Sequence, residues 1–332
     1  MVRLKRVGRE DLTIQRVRHG RGFGLRDADG EKVTDSQLYK RVRGLGIPPA
    51  WQDVRIAMAP NAHIQAVGTD AAGRLQYIYH PDWEARRTRH KQQQLARLAE
   101  ALPRIRRRVR EDLLGEAGSK PLALALGVAV IDRTAMRVGR ERYLDARGTR
   151  GAGTLYSRDV SVKGDVVTTR FPAKSGKLAA YEVRDEALAE AVRKVKSIPG
   201  RRLLMYRDEN GTARPVRTDD INRYLKEIGK APVTTKDFRT MHASALAAEA
   251  LAKLEPAESP SARKRQMAAV TKQVAAFLQN TPAICRASYV APCLYALFDK
   301  GRLAELWAGG GNGANGMRQR EVRLAAVLAA AG

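Results

Sequence analysis

Over residues 1–90, apolar and polar positions alternate in short runs: GFGLRDADGEKV (22–33), VRIAMAP (54–60) and HIQAVGTDAAGRLQYIYH (63–80). A period of two, broken by Asp-Ala-Asp-Gly and Ala-Ala-Gly turns, predicts hairpins, and with them a small β-rich domain carrying one helix over 35–44. From residue 84 the period lengthens. EARRTRHKQQQLARLAEALPRIRRRVREDLLG sets Leu, Ile and Val at helical spacing, with a break expected at Pro103. Further helices are predicted over 121–136, 185–197, 218–229, 237–254, 260–278 and 288–300. Between the first two lie LYSRDVSV (155–162), VVTTRF (166–171) and LAAYEV (178–183), with Lys-Gly-Asp and Lys-Ser-Gly-Lys turns. These predict a three-stranded β element. GGGNGANG (309–316) has linker composition and leads to a helix over 317–330. The pattern predicts an α+β chain: a β-rich domain over 1–90, a mainly α-helical domain over 91–308 with the three-stranded element, and a linker and helix over 309–332. The two domains join at 81–91, where Arg86, Arg87, Arg89, His90 and Lys91 cluster.

Charge narrows the partners. Lys and Arg total 61 against 35 Asp and Glu, a net +26, and the pI is about 10.6. Such self-repulsion favours a polyanionic partner, and a basic domain of this kind points to nucleic acid. The longest uncharged apolar run, Pro121 to Ile131, is far below the ~20 residues of a membrane span. MVRLKRVGREDL has no apolar core of a secretory signal, so a cytoplasmic, nucleoid-associated protein is expected. Cys285 and Cys293 form neither a CxxC pair nor a disulfide framework, and the five histidines lack HExxH spacing. Neither metal nor cofactor is expected. GRGFG (20–24) has no strand before it or helix after it, so it is set aside as a dinucleotide loop.

Breaking a phosphodiester without a metal needs a nucleophile, donors for the non-bridging oxygens and an acid for the leaving oxygen. Four segments carry suitable residues. DRTAMRVGRERY (132–143) delivers Arg137 to the end of an apolar helix, where alone it would serve to cap carbonyls. FPAKSGK (171–177) sets Lys174 beside a tight turn, an ordinary place for a solvated lysine. TTKDFRTMHA (234–243) sets Arg239 one turn into a helix. LQNTPAICRASYVAP (278–292) places Asn280 nine residues before Tyr289, one of ten tyrosines.

In this order, the motifs DRT-x₂-RVG-x₃-Y, KDFRT and NTP-x₆-Y resemble the poxvirus-like type IB DNA topoisomerases, in particular their small bacterial, Deinococcus-type branch. IPPAWQDVRI (47–56) and LQYIYHP (75–81) extend the resemblance into that family's DNA-clamping domain. It implies that Tyr289 attacks the scissile phosphate to give a 3′-phosphotyrosyl link, that Arg137 and Arg239 grip the non-bridging oxygens, and that Lys174 protonates the departing 5′-oxygen. Asn280 stands where the viral enzymes carry histidine, so it is expected to donate a hydrogen bond without titrating. The same resemblance puts Gln76, Tyr77, Tyr79, Arg140, Arg142 and Tyr143 at duplex DNA, and implies a monomer that closes around DNA as a clamp.

Tyrosine recombinases share this chemistry. Their motif opens with a histidine where this chain has Lys236, and the β-rich clamp favours a topoisomerase. A basic architectural protein would explain the charge but has no use for Tyr289 and its four partners. No GxxxxGK[ST] loop is present, consistent with religation that needs no ATP.

Overall fold

A computed structural model describes residues 2–20, 22–312 and 317–331, arranged as two compact units, 1–90 and 91–332. Arg21 of the GRGFG run and residues 313–316 of the glycine-rich stretch lie outside the described residues.

The first unit holds β1 (Ile14–His19), β2 (Gly22–Arg26), α1 (Ser36–Gly44), β3 (Gln52–Ile56), β4 (Ile64–Thr69) and β5 (Leu75–Tyr79). The strands pair antiparallel in the order β2-β1-β3-β4-β5. The two turns legible in the sequence are closed by aspartates: Asp27 accepts from Asp29 and Glu31, and Asp70 from Ala72 and Arg74. Asp35 caps α1 by accepting from Gln37 and Leu38. Alternation along the strands fills two small cores, one around Ile14, Leu38 and Ile56, the other around Leu12, Ala62 and Val67. β1 falls outside the predicted runs because its polar positions, Gln15, Arg16 and Arg18, outnumber its apolar ones.

The second unit is mainly helical. α2 (Pro81–Leu113) begins in the first unit, so the 81–91 junction is helical. The predicted break at Pro103 does not occur. Leu95, Leu98 and Leu102 before it, and Ile105, Val109 and Leu113 after it, are all buried, and that continuous stripe outweighs the ~3 kcal/mol of an internal proline. There follow α3 (Lys120–Thr134), α4 (Glu141–Arg147), an antiparallel sheet of β6 (Val160–Lys163), β7 (Val166–Pro172) and β8 (Leu178–Arg184), then α5 (Glu186–Lys196), a small hairpin β9 (Met205–Arg207) and β10 (Ala213–Pro215), α6 (Thr218–Gly229), α7 (Thr235–Ala252), α8 (Pro260–Phe277), α9 (Pro282–Ile284), a π-helix (Cys285–Tyr289), α10 (Pro292–Asp299), α11 (Leu303–Ala308) and α12 (Gln319–Ala330). α3 is buried on every side from Leu122 to Ile131, which marks it as a central helix. α12 does not stand apart as a tail: Leu324, Val327 and Leu328 enter the same core. Among the described residues no helix is long and apolar enough to cross a membrane.

Candidate active site

α3 and α7 bring two arginines together. α3 ends at Ala135, which turns left-handed at φ +54°, with Thr134 Oγ1 donating back to the Val130 carbonyl at 2.6 Å. Arg137 is therefore two residues beyond that cap, not at the helix end as its spacing predicted, because a left-handed residue stops the ladder. The extended segment after it is tied down by its neighbours. Ala152 N–H donates to the Arg137 carbonyl (2.9 Å), Gly153 N–H to Val138 (2.7 Å) and Thr218 Oγ1 to Gly139 (3.0 Å). Two glycines make this approach possible. Gly139 has φ +78°, and a Cβ on Gly151 would lie 2.3 Å from the Arg137 carbonyl oxygen.

Arg239 is on the second turn of α7, 3% exposed, and the helix start is fixed by Asp237 accepting from the Thr234 N–H and hydroxyl at 2.8 and 2.9 Å. Its Nη1 donates to the Ala135 carbonyl, and its Nη2 to the Leu278 carbonyl at 3.1 Å. Its buried Nε has no partner among the described residues. Ala135 precedes Arg137 by two residues and Leu278 precedes Asn280 by two, so one guanidinium braces both segments. Its Cζ lies 5.2 Å from the centre of the Tyr289 ring. Burial pushes the Arg137 guanidinium below its ordinary value, Arg239 adds to this and Tyr289 opposes it. A buried and a half-buried cation thus act on one another with a donor left over, an arrangement that can bind a small anion.

Tyr289 ends the π-helix, whose Val290 N–H reaches back to the Cys285 carbonyl at 3.0 Å. It thus precedes α10, which the sequence placed over 288–300. The Ser244 hydroxyl donates to the Tyr289 carbonyl (3.2 Å) and accepts from Ala291 N–H (3.1 Å), and Pro292 then opens the helix. Lys91 Nζ donates to the Ala287 carbonyl, two residues before Tyr289, at 2.9 Å. Asn280 follows the left-handed Gln279 (φ +50°), half-buried, with its backbone N–H on the Ala275 carbonyl at 2.8 Å.

Lys174 is not gathered with these groups. It is exposed in a short turn, Lys174–Gly176, that closes the β7–β8 hairpin. Conversely, Ser244 and Tyr181 escaped the sequence, which singled out Lys91 only as part of the basic junction and not for its bond to the Tyr289 turn. Tyr181 faces inward from β8, its ring 6.3 Å from that of Phe171; burial raises its phenol, and the charges of Arg239 and Arg137 oppose that rise. Along β8, Tyr181 alternates with the exposed Ala180 and Glu182, and nothing local points to what it meets on that face. Burial also pushes the thiols of Cys285 and Cys293 up, keeping them protonated.

Of the expected DNA contacts, Tyr77 (40% exposed) and Tyr79 stack at 5.9 Å, with Arg87 5.2 Å from the Tyr79 ring. Gln76 donates to Asp70 at 2.8 Å, which also receives Arg74. In the second unit Arg140 stands at the N-cap position of α4 without a side-chain capping bond, and Arg142 lies over the exposed Tyr143 ring and donates to its hydroxyl at 3.0 Å.

Comparison with known proteins adds family evidence. Residues 80–291 match the family described as the catalytic core of eukaryotic DNA topoisomerase I, and residues 22–70 match the N-terminal domain of bacterial DNA topoisomerase IB. The DNA topoisomerase 1B of Acanthamoeba polyphaga mimivirus is 30% identical over 269 residues, which cover 79% of this chain and 80% of that protein.

Proposed function

Because this chain belongs to the type IB DNA topoisomerases, we propose that it relaxes supercoiled duplex DNA by cutting one strand with Tyr289 and resealing it. The Tyr289 oxygen attacks the scissile phosphorus, the bond to the 5′-oxygen breaks, and a 3′-phosphotyrosyl link and a 5′-hydroxyl result. Resealing is the reverse attack by the 5′-hydroxyl. The link conserves the phosphodiester energy, so neither ATP nor a metal ion is needed. The placement of Arg239 carries this reading: a buried guanidinium against the Tyr289 ring, with an Nε unpartnered among the described residues and the charge of Arg137 acting on it. Together they stabilise the charge that builds on the non-bridging oxygens.

Asn280 supplies a further donor from the turn that Arg239 braces. Lys174 protonates the leaving 5′-oxygen once DNA has drawn its hairpin inward. The first unit acts as the DNA-clamping domain through Gln76, Tyr77 and Tyr79, with Arg140, Arg142 and Tyr143 gripping from the catalytic unit. The protein works as a monomer, and the clamp opens by bending within 81–91.

The test is incubation with supercoiled plasmid in EDTA without ATP, quenched with SDS. Relaxation together with a protein–DNA adduct through a 3′-phosphate is expected, and Tyr289→Phe should abolish both. A wild-type protein that gives neither would refute the reading.

A further inference from the structure

α12 is fastened to the catalytic unit by a buried charge cluster. Glu321, 3% exposed on its first turn, accepts from Arg106 of α2 at 2.7 and 2.8 Å. The same guanidinium donates to both oxygens of Asp132 on α3, at 2.9 and 2.8 Å. Arg318, just before α12, donates to the Asp132 carbonyl (3.3 Å) and to Glu321 (3.2 Å). His242 of α7 donates Nε2–H to that carbonyl at 2.7 Å. Burial by itself would raise both carboxyls, yet the hydrogen bonds and charge of Arg106 hold them below their ordinary range. The cluster is therefore charged, and its four elements interlock.

Its position is what matters. Asp132 lies in the last turn of α3, five residues before Arg137, and His242 follows Arg239 by three residues on α7. At the other end of α12, the Leu328 carbonyl accepts from Gln92 at 3.2 Å, and the adjacent Lys91 is the residue that holds the Ala287 carbonyl of the Tyr289 turn. Of the arginines in this segment, Arg318 is held in the cluster and Arg323 donates to the Gly311 carbonyl at 3.2 Å, while Arg320 is exposed.

We propose that α12 is a positioning element of the active site, with Glu321 as a positioning residue that sets Arg137 through Arg106 and Asp132. This rests on the reading that Arg137 acts on the scissile phosphate. Removing one partner from a buried ion pair leaves an uncompensated charge, so Arg106 must re-pair or seek water. Either response releases the end of α3, and a shift of about 1 Å at a catalytic group costs a rate on the order of 100-fold.

The test is a double-mutant cycle in the full-length protein: Glu321→Ala and Glu321→Gln, each alone and with Arg137→Ala. Single-turnover adduct formation, duplex affinity and Tm are measured for each. Glu321→Ala should slow adduct formation about 10- to 100-fold with duplex affinity within about twofold, and should slow the Arg137→Ala protein by less than about twofold. Glu321→Gln, which keeps the shape and one acceptor, should fall between and show the same non-additivity; it carries the test if the alanine variant does not fold. An unchanged rate in both Glu321 variants, or equal slowing with and without Arg137, overturns the proposal. If Arg137→Ala alone leaves the rate unchanged, the role of Arg137 itself has failed, and this proposal falls with it.

Discussion

The guanidinium carbon of Arg239 lies 5.2 Å from the centre of the Tyr289 ring, and the same side chain donates to the carbonyls of Ala135 and Leu278. Arg239 is thus a framework residue and, in the proposed function, an active-site cation at once. A lysine in its place keeps the charge and three donors but gathers them at one atom, losing the wide planar fork that reaches two backbone segments at once. Arg239→Lys should therefore lower single-turnover cleavage by about 100-fold or more, with a much smaller change in duplex affinity. A rate within about threefold of wild type would show that the fork is dispensable.

The backbone around Arg137 should be as sensitive as its side chain. A Cβ on Gly151 would sit 2.3 Å from the Arg137 carbonyl oxygen, whereas at Gly148 (φ +63°) nothing lies within 4 Å. Gly151→Ala should destabilise the protein by about 1–3 kcal/mol and slow cleavage beyond what its Tm predicts. Gly148→Ala should show only the left-handed strain, about 1–2 kcal/mol, with normal cleavage. Equal rates in the two variants would contradict the close packing around Arg137.

Acid should weaken the catalytic unit before its carboxylates titrate. Burial pushes the His242 imidazole below its ordinary value, partly offset by Asp132. The unfolded imidazole titrates near about 6.5, so below that pH the unfolded chain binds the additional proton. This contribution to stability is complete above about pH 6.5 and is lost as pH falls toward the folded value. Tm should drop between pH 7.5 and 5.5, and His242→Gln, a neutral donor to the Asp132 carbonyl, should flatten that slope. Asp132 and Glu321, both held below their ordinary range by Arg106, extend the loss below about pH 4. An unaltered slope in His242→Gln would remove the histidine from this account.

Asn280 has an amide that no other side chain engages among the described residues. If it donates to the phosphate, Asn280→Ala should cleave about 10- to 100-fold more slowly. Asn280→His should retain activity and bring a new ionisation into the pH–rate profile. Equal rates in all three proteins would place residue 280 outside the chemistry.

Phosphate contacts should dominate duplex affinity. Binding should weaken by about 0.9 log units per log unit of salt for each phosphate neutralised, and Arg142→Ala should reduce that slope by about one contact. Tyr77→Ala should lower affinity and leave the slope unchanged, because an aromatic ring releases no counterion. A shallower slope in Tyr77→Ala would assign it an electrostatic role instead.

The sequence by itself determined most of the elements and the family. Alternation marked the β-rich first unit and the three-stranded sheet, the 3.6-residue period marked the helices, and the order Arg137, Lys174, Arg239, Asn280, Tyr289 marked the family. These are local signals, written in period and spacing. Tertiary structure decided what local signals do not carry. Pro103 stays within α2 because a buried stripe continues on both sides of it. Tyr289 ends a π-turn because Ser244, 45 residues away, takes its carbonyl. Arg137 passes beyond its helix because residues 152, 153 and 218 offer its segment partners. Tyr181 and Lys91 meet the site, and α12 locks behind it, only through contacts between distant parts of the chain. Each such contact depends on burial and on a partner far along the sequence, and neither can be read from the residues beside it.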